Sequence, residues 1–144
     1  VLAIVDTSIT TTKKIVVDEL LIGLLGSTTV SRVKVGVTTY DLSTASGTQA
    51  ITGVGFKPKA VILLAVLNAS QLMSIGIDAS SSSASVYHDA TTFNAAGTSS
   101  IFIGSSGTSQ NANIQSLDAD GFTLNWTKVG SPTSTANIYY LAMR

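Results

Sequence analysis

The chain has no cysteine, two prolines, one tryptophan and few charges: 11% of its 144 residues are Asp, Glu, Lys or Arg. Soluble domains usually carry roughly 25% charged residues. The lack of cysteine excludes a disulfide scaffold and a thiolate metal site. Eight basic and eight acidic residues cancel, and no basic run occurs. A nucleic-acid partner would therefore find no surface from which to release counterions. The longest apolar run, 60–67, has eight residues, far short of the ~20 that a membrane span needs. At the start, residues 1–5 are apolar, but Asp6 and a polar stretch follow. That order lacks the basic, apolar and small-residue succession of a secretory signal.

What is abundant is the small hydroxyl group, with 20 serines and 19 threonines. Hydrophobic residues still reach 44%, enough for a packed core and against disorder. The length suits one domain with a short appendage. The pattern places the division after Gly26, giving a segment 1–26 and a domain 27–144. In the first segment, 1–5 and 13–17 read as two short strands around a polar turn. Residues 18–26 then read as a short helix, with Asp18 and Glu19 at its positive end and Gly26 as its stop. Its Leu20, Leu21, Leu24 and Leu25 form a wide apolar face. A helix of two turns is not stable alone, so this face must dock on something.

Beyond Ser27 the pattern is β. Val33, Val35 and Val37 alternate with Lys34, Gly36 and Thr38, the period of a half-buried strand. Further runs are expected at 49–54, 60–67, 72–78, 85–88, 100–104, 113–117, 122–127 and 138–143. Clusters of Ser, Gly, Asn and Asp at 78–83, 104–113 and 129–136 separate several of them. Short strands with turn signals between them predict a mainly β protein, an antiparallel β-sandwich of jelly-roll-like form, with a barrel as the other solution. Residues 60–67 should be a central strand buried on both faces. Val61, Ile62, Leu64, Val66, Ile103, Leu124 and Trp126 are expected in the core.

No catalytic, cofactor or metal site is expected. Asp118 and Asp120–Gly121 resemble the start of a calcium loop, but Val129 stands where the bidentate Glu is needed; a hairpin turn explains them better. His88 is the only histidine, beside Asp89, and no Gly-x-Ser-x-Gly elbow accompanies it. Gly53, Gly55, Phe56 and Pro58 resemble half of a dinucleotide fingerprint. Pro58 replaces the third glycine and a strand follows, so they read as a tight corner entering the sheet. Tyr87, Phe93, Trp126, Tyr139 and Tyr140 could face a carbohydrate, although aromatic residues in alternating strands, as Trp126 and Tyr140 are, more often fill a core.

Two stretches resemble virion surface proteins of tailed bacteriophages. One order, residues 48–62 (with Gly53, Gly55, Phe56 and Pro58), then 118–126, then 138–143, is similar to the small β-sandwich domains of head-decoration and fibre proteins. The other, Ile4 to Thr7 and Thr11 to Leu21, resembles the N-terminal attachment segments of head-fibre and tail-fibre proteins. The resemblance implies a structural protein of the virion, located on the capsid surface, that acts as a decoration or cement protein. Its expected partners are copies of itself in a homotrimer and the major capsid protein or another virion protein, without nucleic acid or membrane. It assigns capsid anchoring to Leu20, Leu21, Leu24 and Leu25. A tail-fibre or receptor- or carbohydrate-binding module of the tail is the alternative. Only about six residues separate the segment 1–26 from the first strand of the domain, which leaves no fibre shaft and favours the decoration reading.

Overall fold

The computed structural model describes Leu2–Ile4, Lys13–Ile15 and residues 33–67, 70–79 and 82–144. The chain divides into two compact units, Val1–Ser31 and Arg32–Arg144. In the first, β1 (Leu2–Ile4) and β2 (Lys13–Ile15) pair antiparallel, with Leu2 opposite Ile15 and Ile4 opposite Lys13. The helix expected over 18–26, with Leu20, Leu21, Leu24 and Leu25, lies outside the described residues.

The second unit is built of antiparallel strands in two sheets. The strands are β3 (Val33–Asp41), β4 (Gly47–Thr52), β5 (Ala60–Leu67), β6 (Leu72–Asp78) and β7 (Ser83–Asp89), followed by β8 (Phe93–Ala96), β9 (Ile101–Ser105), β10 (Thr108–Asp118), β11 (Gly121–Val129) and β12 (Thr135–Met143). One sheet has six strands in the order β3-β12-β5-β6-β7-β8, the other four in the order β4-β11-β10-β9. The core lies between them, as in a β-sandwich. Val61, Leu63, Ala65 and Leu67 of β5 and Ile138 and Ala142 of β12 face Phe122, Leu124 and Trp126 of β11 and Ile101 and Ile103 of β9.

Aromatic and amide groups hold the two sheets together where the chain passes from β3 in one to β4 in the other. Tyr40 stacks on Trp126 at 3.9 Å with rings 5° apart. Burial pushes the Tyr40 hydroxyl above its usual pKa, and the charge of Asp41 adds to this. Trp126 donates its indole N–H to Gln49 Oε1 (3.1 Å), while Gln49 Nε2 donates to Thr39 O (2.9 Å) and Thr38 Oγ1 (3.2 Å). A buried indole needs such a partner, and here one glutamine side chain supplies it while reaching across the sheets. Gln110, fully buried, donates to Leu42 O and Thr44 O and fixes the turn between β3 and β4.

The glycine corner behaves as the sequence predicts. Gly53 (φ 78°) and Gly55 (φ 86°) carry the chain from β4 in one sheet toward β5 in the other. Val54, Phe56 and Pro58 are buried there. The Asp118–Gly121 stretch is a hairpin turn, with Asp118 paired to Gly121. Its glycine is required less for the turn than for the neighbour: a Cβ at Gly121 would run into the Ile51 carbonyl of β4. The two motifs meet in space. Asp120 accepts hydrogen bonds from Gly55 N (2.6 Å) and Gly53 N (3.1 Å).

Three expectations need correction. Ile62, Leu64 and Val66 are not core residues; they are half-buried on the outer face of β5, whose inner face carries Val61, Leu63 and Ala65. The strand is therefore fully covered on one side only. Residues 104–113 are not a loop, since β9 and β10 form a hairpin around Ser106 and Gly107. Residues 93–96, read as no element, form the edge strand β8.

Candidate interaction surface

In a sheet that is solvated on one side, the apolar side chains of each strand should turn inward. In the six-stranded sheet several strands do the reverse. On β6, Ser74, Gly76 and Asp78 point inward and are buried, while Met73, Ile75 and Ile77 point outward and are exposed. On β3, the half of the alternation that holds Val33, Val35 and Val37 is outward. Val35 is 68% exposed and Val37 58%.

The inward side of β6 has a physical reason to be small. A Cβ at Gly76 would collide with the Ser100 carbonyl and lie 2.7 Å from the Ala84 carbonyl. Ser100, at the entry to β9, therefore approaches β6 closely only because glycine stands there. Ser74 Oγ accepts from Phe102 N (3.1 Å), and Asp78 Oδ2 accepts from Ser100 Oγ (2.7 Å) and Ile114 N (3.1 Å). The buried carboxylate is thus satisfied by hydroxyl and amide donors from the opposite sheet. Polar side chains fasten this end of the two sheets from within, and the period of two sends the isoleucines outward.

Register aligns these outward side chains into rows. One row crosses all six strands: Val37, Tyr139, Leu64, Ile75, Val86 and Ala95. The next holds Val35, Leu141, Ile62, Ile77 and Ala84. A third holds Thr39, Asn137, Val66, Met73, His88 and Phe93. Val33, Met143 and Ala60 start a fourth. No Asp, Glu, Lys or Arg stands in these rows. The outer side of the four-stranded sheet differs in character: Thr48, Thr52, Asn125 and Thr127 are exposed there, with Thr123 and Asn111 beside them.

With strands ~4.8 Å apart and same-face residues ~6.8 Å apart along a strand, each outward position covers about 33 Å². About twenty positions then give a footprint of roughly 650 Å², of which the seventeen apolar ones cover roughly 560 Å². The largest apolar patch on an ordinary monomer is about 300–600 Å², and that patch is often functional. In the middle of the face, Ile62, Ile75, Ile77, Ala84 and Val86 border a depression of about 320 Å³ over Gly76.

The other sequence candidates are placed as follows. His88 is on the outer face at its rim, with Nδ1 3.0 Å from Gln71 O and its ring tilted against Phe93 at 4.7 Å. Asp89 points away from it and organises the β7–β8 turn, accepting from Thr91 N, Thr91 Oγ1 (2.7 Å), Thr92 N (2.9 Å) and Asn94 Nδ2. The Thr91 hydroxyl, followed by the amide of Thr92, holds the Asp89 carboxyl well below the usual carboxylate range. No His88–Asp89 pair forms. Tyr140 is buried edge-on against Phe122, and Tyr87 stacks on Phe102 at 4.0 Å. Tyr139 and Phe93 are exposed on the apolar face, but three strands lie between those that carry them. These aromatics therefore do not converge on one sugar-sized hollow. Leu20, Leu21, Leu24 and Leu25 lie outside the described residues.

Among the described residues, no three or more His, Asp or Glu side chains gather as metal ligands. No helix among them is long and apolar enough to cross a membrane. No protein-family profile, characterised protein or solved structure matches this chain. The sequence does signal an apolar outer face, since residues 60–67 are apolar at both parities and are expected to be buried on both sides; what it does not show is that one of those sides is left half-open in the chain alone.

Proposed function

We propose that the chain is a non-enzymatic structural protein of a bacteriophage virion, a decoration or cement protein seated on the capsid surface. The observation that carries this reading is the uncharged apolar face across the six-stranded sheet, an area of interface scale on a chain with few charges. Charges are depleted from the cores of protein interfaces, and a protein that works by being covered needs such a face. A second support is that the two stretches carrying the virion resemblance, around Gly53 and Asp120, form one clamp in the fold.

In this reading the segment 1–26 anchors the protein to the major capsid protein or another virion protein. Its hairpin is followed by the apolar positions Leu20, Leu21, Leu24 and Leu25. Burying one leucine side chain contributes roughly 1.5–3 kcal/mol, so four per copy supply substantial anchoring before ordering costs are subtracted. The test is the position of the protein on intact particles, read by electron cryomicroscopy. Density on the capsid surface is the expected result. Density on the tail would favour the fibre or receptor-binding alternative, and absence from particles would refute both.

A further inference from the structure

We infer that the outer face of the six-stranded sheet is the contact surface between copies of this chain. The inference concerns the purified protein and does not rest on the virion reading.

Three observations select a second copy as the occupant. The first is area. A footprint of roughly 650 Å², before side-chain relief is added, approaches the ~800 Å² that each partner contributes to a standard stable interface. The second is charge. A surface that packs on itself meets its own charges, and like charges placed opposite each other are strongly unfavourable. The rows themselves carry none: Lys34 and Asp78 fall on the inward side of the alternation, and the outward Asp41 stands beyond the rows at the end of β3. A face evolved for a charged partner would display complementary charge.

The third is relief. The same face carries projections and a hollow. Phe93 is 74% exposed and Tyr139 45%, and the depression over Gly76 is bordered by Ile75, Ile77 and Val86. An aromatic anchor filling an apolar pocket on its partner is the usual centre of a stable contact. Holding both parts on one surface is what a symmetric self-contact requires. Two copies could stack these faces with their sheets ~10 Å apart. Three copies turned toward a common axis would place faces ~24 Å wide about 7 Å from it, a depth that one layer of Leu, Ile and Tyr side chains fills. Either closure buries the same rows, and the three-fold one is the trimer expected from the sequence.

The test is sedimentation velocity on the full chain at micromolar concentration. The expected wild-type mass is that of two or three chains. Val37→Lys with Ile75→Lys should give monomers that keep the wild-type far-ultraviolet circular dichroism, because both side chains point away from the core. Thr52→Lys with Asn125→Lys, on the polar outer side of the other sheet and not opposite each other, should keep the wild-type mass. If the lysine pair does not fold, Val37→Thr with Ile75→Thr retains strand preference and should weaken association at least about tenfold. A monomeric wild type overturns the inference. So does an unchanged mass in the folded face variants, or equal dissociation by the control pair.

Discussion

Replacing Asp120 by alanine tests whether the two glycine-containing motifs form a structural clamp. The carboxylate accepts from Gly55 N at 2.6 Å and Gly53 N at 3.1 Å, and no other side chain is shown holding these amides. A hydrogen bond to a charged acceptor contributes about 1.5–3 kcal/mol when sheltered. The clamp is exposed, and water can replace the lost acceptor, so we take about 2 kcal/mol for the pair. The corner it fixes is entropically expensive, since both glycines sit at positive φ. For a unit of this size, ~2 kcal/mol corresponds to a fall in Tm of about 8 °C. Urea denaturation should show the same loss with an unchanged slope, because the surface exposed on unfolding is unaltered. Asp120→Asn keeps one carbonyl acceptor and should lose about half as much. Stability of Asp120→Ala within ~0.5 kcal/mol of wild type, the range of an ordinary surface substitution, would refute the clamp.

Gly76→Ala should destabilise by about 3 kcal/mol or prevent folding, because its Cβ meets the Ser100 and Ala84 carbonyls and overpacking forces backbone shifts; urea denaturation measures it. Asp89 has a folded-state pKa below its ordinary 3.8. Its contribution is therefore present above about pH 4 and lost as pH falls through the lower folded value. Asp89→Asn should flatten the acid limb of stability against pH, and an unchanged limb would show that the turn does not depend on the charge. Deleting residues 1–26 should leave a β-rich protein with a nearly unchanged Tm that no longer binds particles. Unfolding of the truncated chain would make the segment part of the fold, and retained binding would move the anchor elsewhere.

Most strands were legible in the sequence because their alternation is strong. The direction of that alternation was not, since a period of two separates the residues into two faces without saying which face is covered. Val33, Val35 and Val37 show this: the strand was correctly read and its apolar side is the exposed one. For Ile62, Leu64 and Val66 the same ambiguity led to a wrong core assignment. The edge strand β8 was invisible because Phe93, Asn94, Ala95 and Ala96 show no alternation, and it pairs where the Asp89-centred turn delivers it. The first half of β10 was hidden by its Ser, Gln and Asn side chains, although Ser106–Gly107 between two short runs is a hairpin signal. The glycine corner and the Asp118–Gly121 turn were legible because backbone chemistry, rather than burial, specifies them.

The central claim, that the outer face of the six-stranded sheet is covered in the working state, can be measured directly because the chain has no native cysteine. Single cysteines at Val37 and Ile75 on that face, and at Thr48 and Asn125 on the opposite polar face, can be labelled with a maleimide in the assembled full-length protein. The account predicts slow labelling at 37 and 75, recovering on dilution to monomers, and rapid labelling at 48 and 125 throughout. Equally rapid labelling at all four positions would contradict it.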